Sequence, residues 1–271
     1  MAQTIDTKAM SLKVQKYLNS SQEQTAKSMQ RLGSGLRINS ARDDAAGIAI
    51  VERMNAELRG MNAGIRNAND GISMSQIAEG GLEEVDDLLQ RMRELALRSV
   101  NGSITTADRE SLNAEFTAMN SEISRVVSTT KFNGQALLDT ANGSDSIDFQ
   151  LGSNTSTDDI LPIDLVGIRP PNASIGTVAG AMASIDEIDA MIAEVSGSRS
   201  SYASLQSQFE SVITNLQIGV QNQSAARGRI MDANYAVETA MLTRSQILQN
   251  ADSAMSSQAN TTSQSVTQLL A

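Results

Sequence analysis

Hydrophobic residues recur at steps of three and four along most of the chain, and at steps of two only in its middle. From Ile77 the apolar positions run Ile77, Gly81, Val85, Leu88, Met92, Leu95. A second run reads Leu112, Phe116, Met119, Ile123, Val126, and a third Leu205, Phe209, Val212, Leu216, Val220. This alternation is coiled-coil-like and predicts helices packed along thin seams, although an ordinary amphipathic helix reads the same over runs this short. Asn101-Gly102-Ser103 marks a turn after the first run, and Thr106-Ala107-Asp108 supplies a place to cap the next helix. The first helix is predicted to start near Asp43 or Asp44; carried on to Val100 it would be roughly 80 Å long. Gly60, Gly64, Gly71, Gly80 and Gly81 weaken it locally and mark a candidate interruption.

After Lys131 the pattern changes. Phe132-Asn133-Gly134 is a turn. Ile147, Phe149 and Leu151 alternate with polar residues, as do Leu161, Ile163 and Leu165, on either side of the polar stretch Ser153 to Asp159. Period two on both sides predicts a β-hairpin with a long loop. Arg169-Pro170-Pro171-Asn172 stops any regular element. Helical pattern resumes near Ser184, with a candidate break at Ser196-Gly197-Ser198.

The ends differ from both. Asn19 to Gln30 is mostly polar, with Val14, Leu18 and Leu32 leaving a weak stripe around it. No charged residue follows Asp252; Met255, Val266, Leu269 and Leu270 sit among Ser, Thr, Asn and Gln. Such segments bury too little surface alone to offset chain entropy, so they are expected to become helices only when neighbours cover them.

Composition narrows the chemistry. Aromatics make up 3% of the 271 residues and Trp is absent, which suits long Ala- and Leu-rich helices better than a compact globule. The chain has neither Cys nor His. Disulfides, thiolate sites, and serine or cysteine triads that need an imidazole are therefore excluded. No cofactor is expected. Net charge is −10 without a basic stripe, so nucleic acid is not an expected partner. No run approaches the roughly 20 apolar residues that span a bilayer. Met1 to Lys8 lacks a basic start followed by an apolar run, so neither a membrane partner nor a cleaved secretory signal is expected.

Several contiguous stretches are more specific. Arg31-Leu32-Gly33-Ser34-Gly35-Leu36-Arg37-Ile38-Asn39-Ser40-Ala41 precedes Asp43-Asp44-Ala45-Ala46-Gly47. Arg66-Asn67-Ala68-Asn69-Asp70-Gly71-Ile72-Ser73 and Gln90-Arg91-Met92-Arg93-Glu94-Leu95-Ala96 follow. Near the C-terminus stand Ala226-Arg227, Arg229-Ile230, Asp232-Ala233-Asn234-Tyr235 and Gln246-Ile247-Leu248-Gln249. In this order they resemble bacterial flagellin, over both terminal regions and much of the hairpin.

The resemblance implies a mainly α fold: an elongated helical rod with one β-hairpin and terminal helices that pair in an assembled filament. It implies inner-core terminal helices at 1–42 and 232–271, ordered on assembly. The outer-core rod would be 43–231, with the hairpin at about 131–168. Only about Ile168 to Val178 is available for the variable outer domains of many flagellins, so the chain resembles a minimal form. The implied role is structural, not enzymatic: a secreted subunit of the extracellular flagellar filament used for motility. It would be exported unfolded through the flagellar type III channel. The implied partners are further copies of itself, an export chaperone, the filament cap and the hook-junction proteins.

Inner-core assembly is expected to use Val14, Leu18, Leu32, Val237, Met241, Leu248, Ala251, Met255, Leu269 and Leu270. Arg37, Arg42, Asp43 and Asp44 are candidate salt-bridging residues between subunits. Arg91, Leu95 and Glu115 match positions read by a flagellin-sensing Toll-like receptor of the host, and would double as filament-packing residues; Arg91 and Leu95 lie one helical turn apart. A C-terminal tail read by cytosolic sensors is matched at Leu269 and Leu270 but not at Thr267. Candidate O-glycosylation positions are Ser153, Thr155, Ser156, Thr157, Ser174 and Thr177. Two alternatives stand beside this reading. A hook–filament junction protein shares the terminal pattern but would match less closely through Arg91 to Ala96 and Gln246 to Gln249. A hydrolase on the same scaffold would need paired His in an insert that is absent here.

Overall fold

The computed structural model describes residues 9–139, 146–154 and 156–269, with side chains described except at 9, 10, 260 and 262–269. The fold is mainly α. In chain order the elements are α1 (Ala9–Ser34), α2 (Ala45–Val100), α3 (Thr106–Thr129), β1 (Lys131–Phe132), β2 (Gln135–Ala136), β3 (Ser146–Gln150), a 3-10 turn (Thr157–Asp159), β4 (Ile160–Asp164), α4 (Val178–Met231) and α5 (Tyr235–Leu269). They form two compact units, 1–55 with 222–271, and 56–221. The boundaries fall inside α2 and α4, not at the loops near 42 and 232. One reason is that α2 and α4 remain tied at their ends, where Arg227 donates to Asn55 Oδ1 at 3.1 Å.

Local signals explain where the helices start and stop. Asp44 Oδ1 accepts the Gly47 amide at 2.9 Å, which caps α2 at the predicted place. The Asn101 side chain accepts the Ser103 amide at 3.1 Å in the turn that ends α2. Thr105 caps α3, accepting from Asp108 N at 3.2 Å. Neither predicted interruption occurs: α2 passes unbroken through its glycines, and α4 through Ser196 to Ser198. Helix α4 also begins earlier than the periodicity suggests, because Thr177 Oγ1 accepts the Gly180 amide at 3.1 Å and starts it at Val178.

The 56–221 unit has one apolar core. On α2 its buried stripe includes Ala78, Leu82, Val85, Leu89, Met92 and Ala96. This lies one position round from the predicted seam: Ile77 is 42% exposed, while Val85, Met92 and Leu95 are shared. On α4 the stripe runs Ala181, Ser184, Ile188, Met191, Val195, Ser198, Tyr202, Phe209, at steps of three, four and finally seven. Phe116, Ile123, Val126 and Val127 add the α3 face. The predicted hairpin is present as β3 antiparallel to β4, with Ile147 opposite Ile163 and Phe149 opposite Leu161. Phe149 meets Phe209 edge to face at 5.7 Å. A second, shorter hairpin joins β1 to β2 across Asn133 (φ 49°) and Gly134 (φ 84°), the left-handed pair that a tight two-residue turn requires.

The α2 glycines serve close approach. A Cβ at Gly64 would lie 1.9 Å from the Leu151 carbonyl oxygen, and one at Gly71 would lie 2.6 Å from the Phe209 ring. Asn67 on the same helix donates to the Gln150 carbonyl at 2.7 Å, so the hairpin is seated directly on the backbone of α2. Gly80, by contrast, has nothing within 4 Å of a Cβ position.

These glycines predict opposite outcomes for one substitution. Gly64→Ala should destabilise the chain by about 1–3 kcal/mol, since backbone must move to admit the methyl. Gly80→Ala should stabilise it by about 0.5–1 kcal/mol through helix propensity. Urea unfolding followed by circular dichroism measures both; equal effects would refute the close-approach assignment.

Candidate functional site

The unit formed by 1–55 and 222–271 is built on a different principle. Helix α1 ends in a left-handed glycine, Gly35 (φ 72°), whose amide donates to the Arg31 carbonyl at 2.8 Å. The chain then meets the start of α5: Leu36 bridges Asp232, Ala233 N donates to the Gly35 carbonyl at 2.9 Å, and Arg37 donates to the Ile230 carbonyl at 2.8 Å. Asn234 Oδ1 accepts the Ala236 amide at 3.1 Å and caps α5. Contacts then run antiparallel, with Arg31 beside Glu238 and, further along, Ser21 beside Asp252.

The covered residues of both helices follow a heptad. On α1 they are Val14, Leu18, Ser21, Thr25, Ser28 and Leu32; on α5 they are Glu238, Leu242, Ser245, Gln249, Asp252, Ser256 and Ala259. The fully buried members are all polar: Ser21, Thr25, Ser28, Glu238 and Ser245. Thr25 and Ser245 bond back to their own helix, each at 2.8 Å to the carbonyl four residues earlier. Most of the large apolar side chains point the other way. Leu12, Tyr17 and Met29 of α1 are exposed, as are Val237, Met241, Ile247, Leu248 and Met255 of α5. A groove of about 510 Å³ runs beside the pair, lined by Tyr17, Gln24, Met241, Arg244, Leu248 and Asp252 among others.

The expected inner-core residues therefore separate into two sets. Val14, Leu18 and Leu32 lie half-buried on the α1–α5 seam, while Val237, Met241, Leu248, Ala251 and Met255 face outward. Leu270 and the Leu269 side chain lie outside the described residues, as does Thr155. The seam polars Ser21, Ser28, Arg31, Glu238 and Asp252 escaped the sequence reading. The repeated four-and-three spacing of Val14, Leu18, Ser21, Thr25, Ser28 and Leu32 is the signal that could have found them.

The loop between α1 and α2 uses its charges within the chain. Asp43 accepts from the Asn39 and Ser40 amides at 3.2 Å each and pairs with Lys27 at 3.5 Å. The Asn39 amide, followed by the Ser40 contacts and Lys27, holds the Asp43 carboxyl below its ordinary value. With Arg37 on a carbonyl and Asp44 capping α2, a between-subunit salt bridge is not needed to explain these residues.

In the other unit, Arg91 is exposed and bonds Glu94 at 2.7 Å and Glu115 at 3.2 Å, which raises its pKa. Leu95 is not on that surface: it is 1% exposed and packs in the core. Arg93 pairs with Asp189 at 2.5 Å and Arg199 with Asp86 at 4.0 Å, linking α2 to α4. Ser153, Ser156, Thr157, Ser174 and Thr177 are exposed, but the Ser156 and Thr177 hydroxyls cap helical turns and Ser174 Oγ donates to Asn113 at 3.0 Å. The short link before α4 is pinned by its carbonyls and amides: Asn120 donates to Pro171 O at 3.0 Å, Ile175 N to Asn113 at 2.9 Å, and Ser99 to Ile175 O at 2.6 Å. No described helix is long and apolar enough to cross a membrane.

The pair thus buries polar residues and leaves apolar ones outward. Comparison with known proteins identifies the family. Residues 5–143 match the bacterial flagellin N-terminal helical region, and residues 185–270 the bacterial flagellin C-terminal helical region. The chain is 42% identical to a flagellin of Halalkalibacterium halodurans over 252 residues, covering 91% of this chain and 92% of that one. It is 34% identical to a Bacillus subtilis flagellin, covering 93% of this chain and 95% of the relative. Among solved structures, a Bacillus cereus flagellin superposes with TM-score 0.51 at 25% identity, covering 60% of this chain and 94% of that chain. A putative flagellar hook-associated protein from Vibrio parahaemolyticus shares the fold at TM-score 0.59 and 15% identity, covering 70% of this chain and 100% of that one. The chain belongs to the bacterial flagellin family. It is a structural subunit of the flagellar filament, which polymerises with its own kind, and not an enzyme.

The Asp43 geometry sets a pH dependence. Its pKa is lowered on folding, so its contribution is present above the ordinary value of 3.8 and is lost as pH falls through the lowered folded value. Asp43→Asn should flatten the acid side of the stability profile of the unit holding α1 and α5. Helical signal followed by acid titration checks this; an unchanged profile would count against the assigned role of Asp43.

Proposed function

We propose that the terminal helices are a deferred interface: weakly held in the free subunit, they become fixed when neighbouring copies cover the outward stripe of Val237, Met241, Leu248 and Met255. The inverted seam is the observation that carries this reading. Its polar heptad positions supply little hydrophobic stabilisation within one chain, while the exposed apolar side chains retain theirs for contact with other copies. A pair that costs little to open also suits passage unfolded through the flagellar type III channel. There an export chaperone would shield the α5 stripe, and the filament cap and the hook-junction proteins would receive it. Removing residues 252–271 should leave the 56–221 unit folded and abolish seeded growth. Light scattering reads growth and circular dichroism reads folding; normal filaments from the truncated chain would exclude the deferred interface.

A second role has its own support. Arg91 and Glu115 form an exposed pair where α2 meets α3, and an Arg at the centre of an interface is a common anchor. We infer that the free subunit presents this pair to a flagellin-sensing Toll-like receptor, with Leu95 acting only through the packing beneath. Arg91→Ala should lower potency roughly thirtyfold, about 2 kcal/mol, without loss of fold. Leu95→Ala should instead cost about 2–5 kcal/mol of stability by opening a cavity. Dose–response in receptor-expressing reporter cells, with thermal unfolding alongside, separates the two; an unchanged dose for Arg91→Ala removes the receptor role.

A further inference from the structure

We propose that Arg31 and Glu238 fix the register in which α1 pairs with α5, and so determine where the outward stripe is presented for assembly. The Leu36–Asp232 bridge joins the segments just outside the two helices, but along the seam itself most residues carry no register information. Thr25 and Ser245 bond to their own helix, so either can slide past the partner without losing a bond. The Ser21 hydroxyl reaches Asp252 Oδ2 at 3.1 Å but shares its one proton with the Tyr17 carbonyl at 3.0 Å. The half-buried apolar members Val14, Leu18, Leu32 and Leu242 are too few and too similar to specify one alignment.

The ion pair is different. Arg31 Nη1 lies 3.7 Å from Glu238 Oε2, and the side chains are 21% and 7% exposed. A carboxylate buried that deeply is costly in any alignment that moves it away from a cation. The neighbouring charges offer no substitute. Asp43 is engaged by Lys27 and by the Asn39 and Ser40 amides, and the Arg37 guanidinium is on the Ile230 carbonyl. One alignment of the helices therefore keeps Glu238 paired.

The pair is not there for stability. Ser28 Oγ, Arg31 Nε and Glu238 Oε1 are buried and lack hydrogen-bond partners among the described residues. A partly satisfied buried ion pair is worse than an apolar pair of the same volume, so what it contributes is selectivity: a single polar contact in a helix seam can set register at a cost in stability. Register matters because the outward residues Met241, Leu248 and Met255 repeat every seven positions. A slip of one heptad leaves the helical seam pattern intact, at the loss of the terminal Leu36–Asp232 bridge, but moves the α5 stripe along α1 by roughly 10 Å.

The test uses the full chain, with wild-type seeds and wild-type subunit as the control. Arg31→Glu and Glu238→Arg should each raise the critical concentration for seeded growth by roughly tenfold or more, and the double exchange should return it most of the way, as expected of coupled residues. The leucine pair, Arg31→Leu with Glu238→Leu, separates register from folding. Helix content should be kept or increased, while electron microscopy should show fibres of mixed and irregular form. Thermal unfolding of the 56–221 unit should not change in any variant. Growth at wild-type concentration by either single reversal, a double exchange no better than the singles, or uniform wild-type-like filaments from the leucine pair would each overturn the proposal.

Discussion

The terminal coiled coil is inside out, and the rest of the molecule's behaviour depends on that. A helix pair normally gains its stability by facing apolar positions toward one another. Here serine, threonine and a carboxylate occupy the buried positions, with Val14, Leu18, Leu32 and Leu242 only half-covered, while Leu12, Tyr17, Met241, Leu248 and Met255 face outward. Hydroxyls that bond to their own helix make the seam neutral rather than attractive. On the proposed reading, the free energy available from burying apolar surface is reserved for contacts between copies.

The 56–221 unit has the complementary property. Its core is continuous and apolar, and it is locked by backbone-to-backbone approach at Gly64 and by the Phe149–Phe209 contact. The short link from Ile168 to Thr177 is fixed by Asn113, Asn120 and Ser99. The link therefore closes over the core where longer flagellins carry their outer domains, and the minimal form remains well packed without them.

Much of this was legible in the sequence, because period is a strong signal. The alternation through Ile147 to Leu151 and Leu161 to Leu165 found the hairpin, and the run through Phe116 found the core face of α3; on α4 the run through Phe209 met only the C-terminal end of a buried stripe that begins at Ala181. The α2 stripe was misplaced by one position because Ala78 and Leu82 weigh no more than Ile77 in a pattern of apolar letters; only packing decides which face is inward. The glycines looked like weak points for the opposite reason, since propensity penalises them and contact with Leu151 rewards them. The polar seam was hidden by the assumption that buried means apolar. Ser21, Thr25 and Ser28 carry the right spacing but the wrong chemistry for a hydrophobic search. Leu95 was placed beside Arg91 on a recognition surface by the family resemblance, and one turn of separation from Arg91 does not decide how far round the helix a side chain points.

Amide hydrogen exchange on subunit and filament addresses the central claim most directly. If the α1–α5 pair is held by neighbours rather than by its own seam, its amides should exchange rapidly in the free subunit, while those of α3 and of α2 from Ala68 to Ala96 are strongly protected. On polymerisation the protection of α1 and α5 should rise toward that of the core, and the core should change little. Protection of α1 and α5 in the free subunit equal to that of α2 would contradict the account, because the polar seam would then suffice by itself.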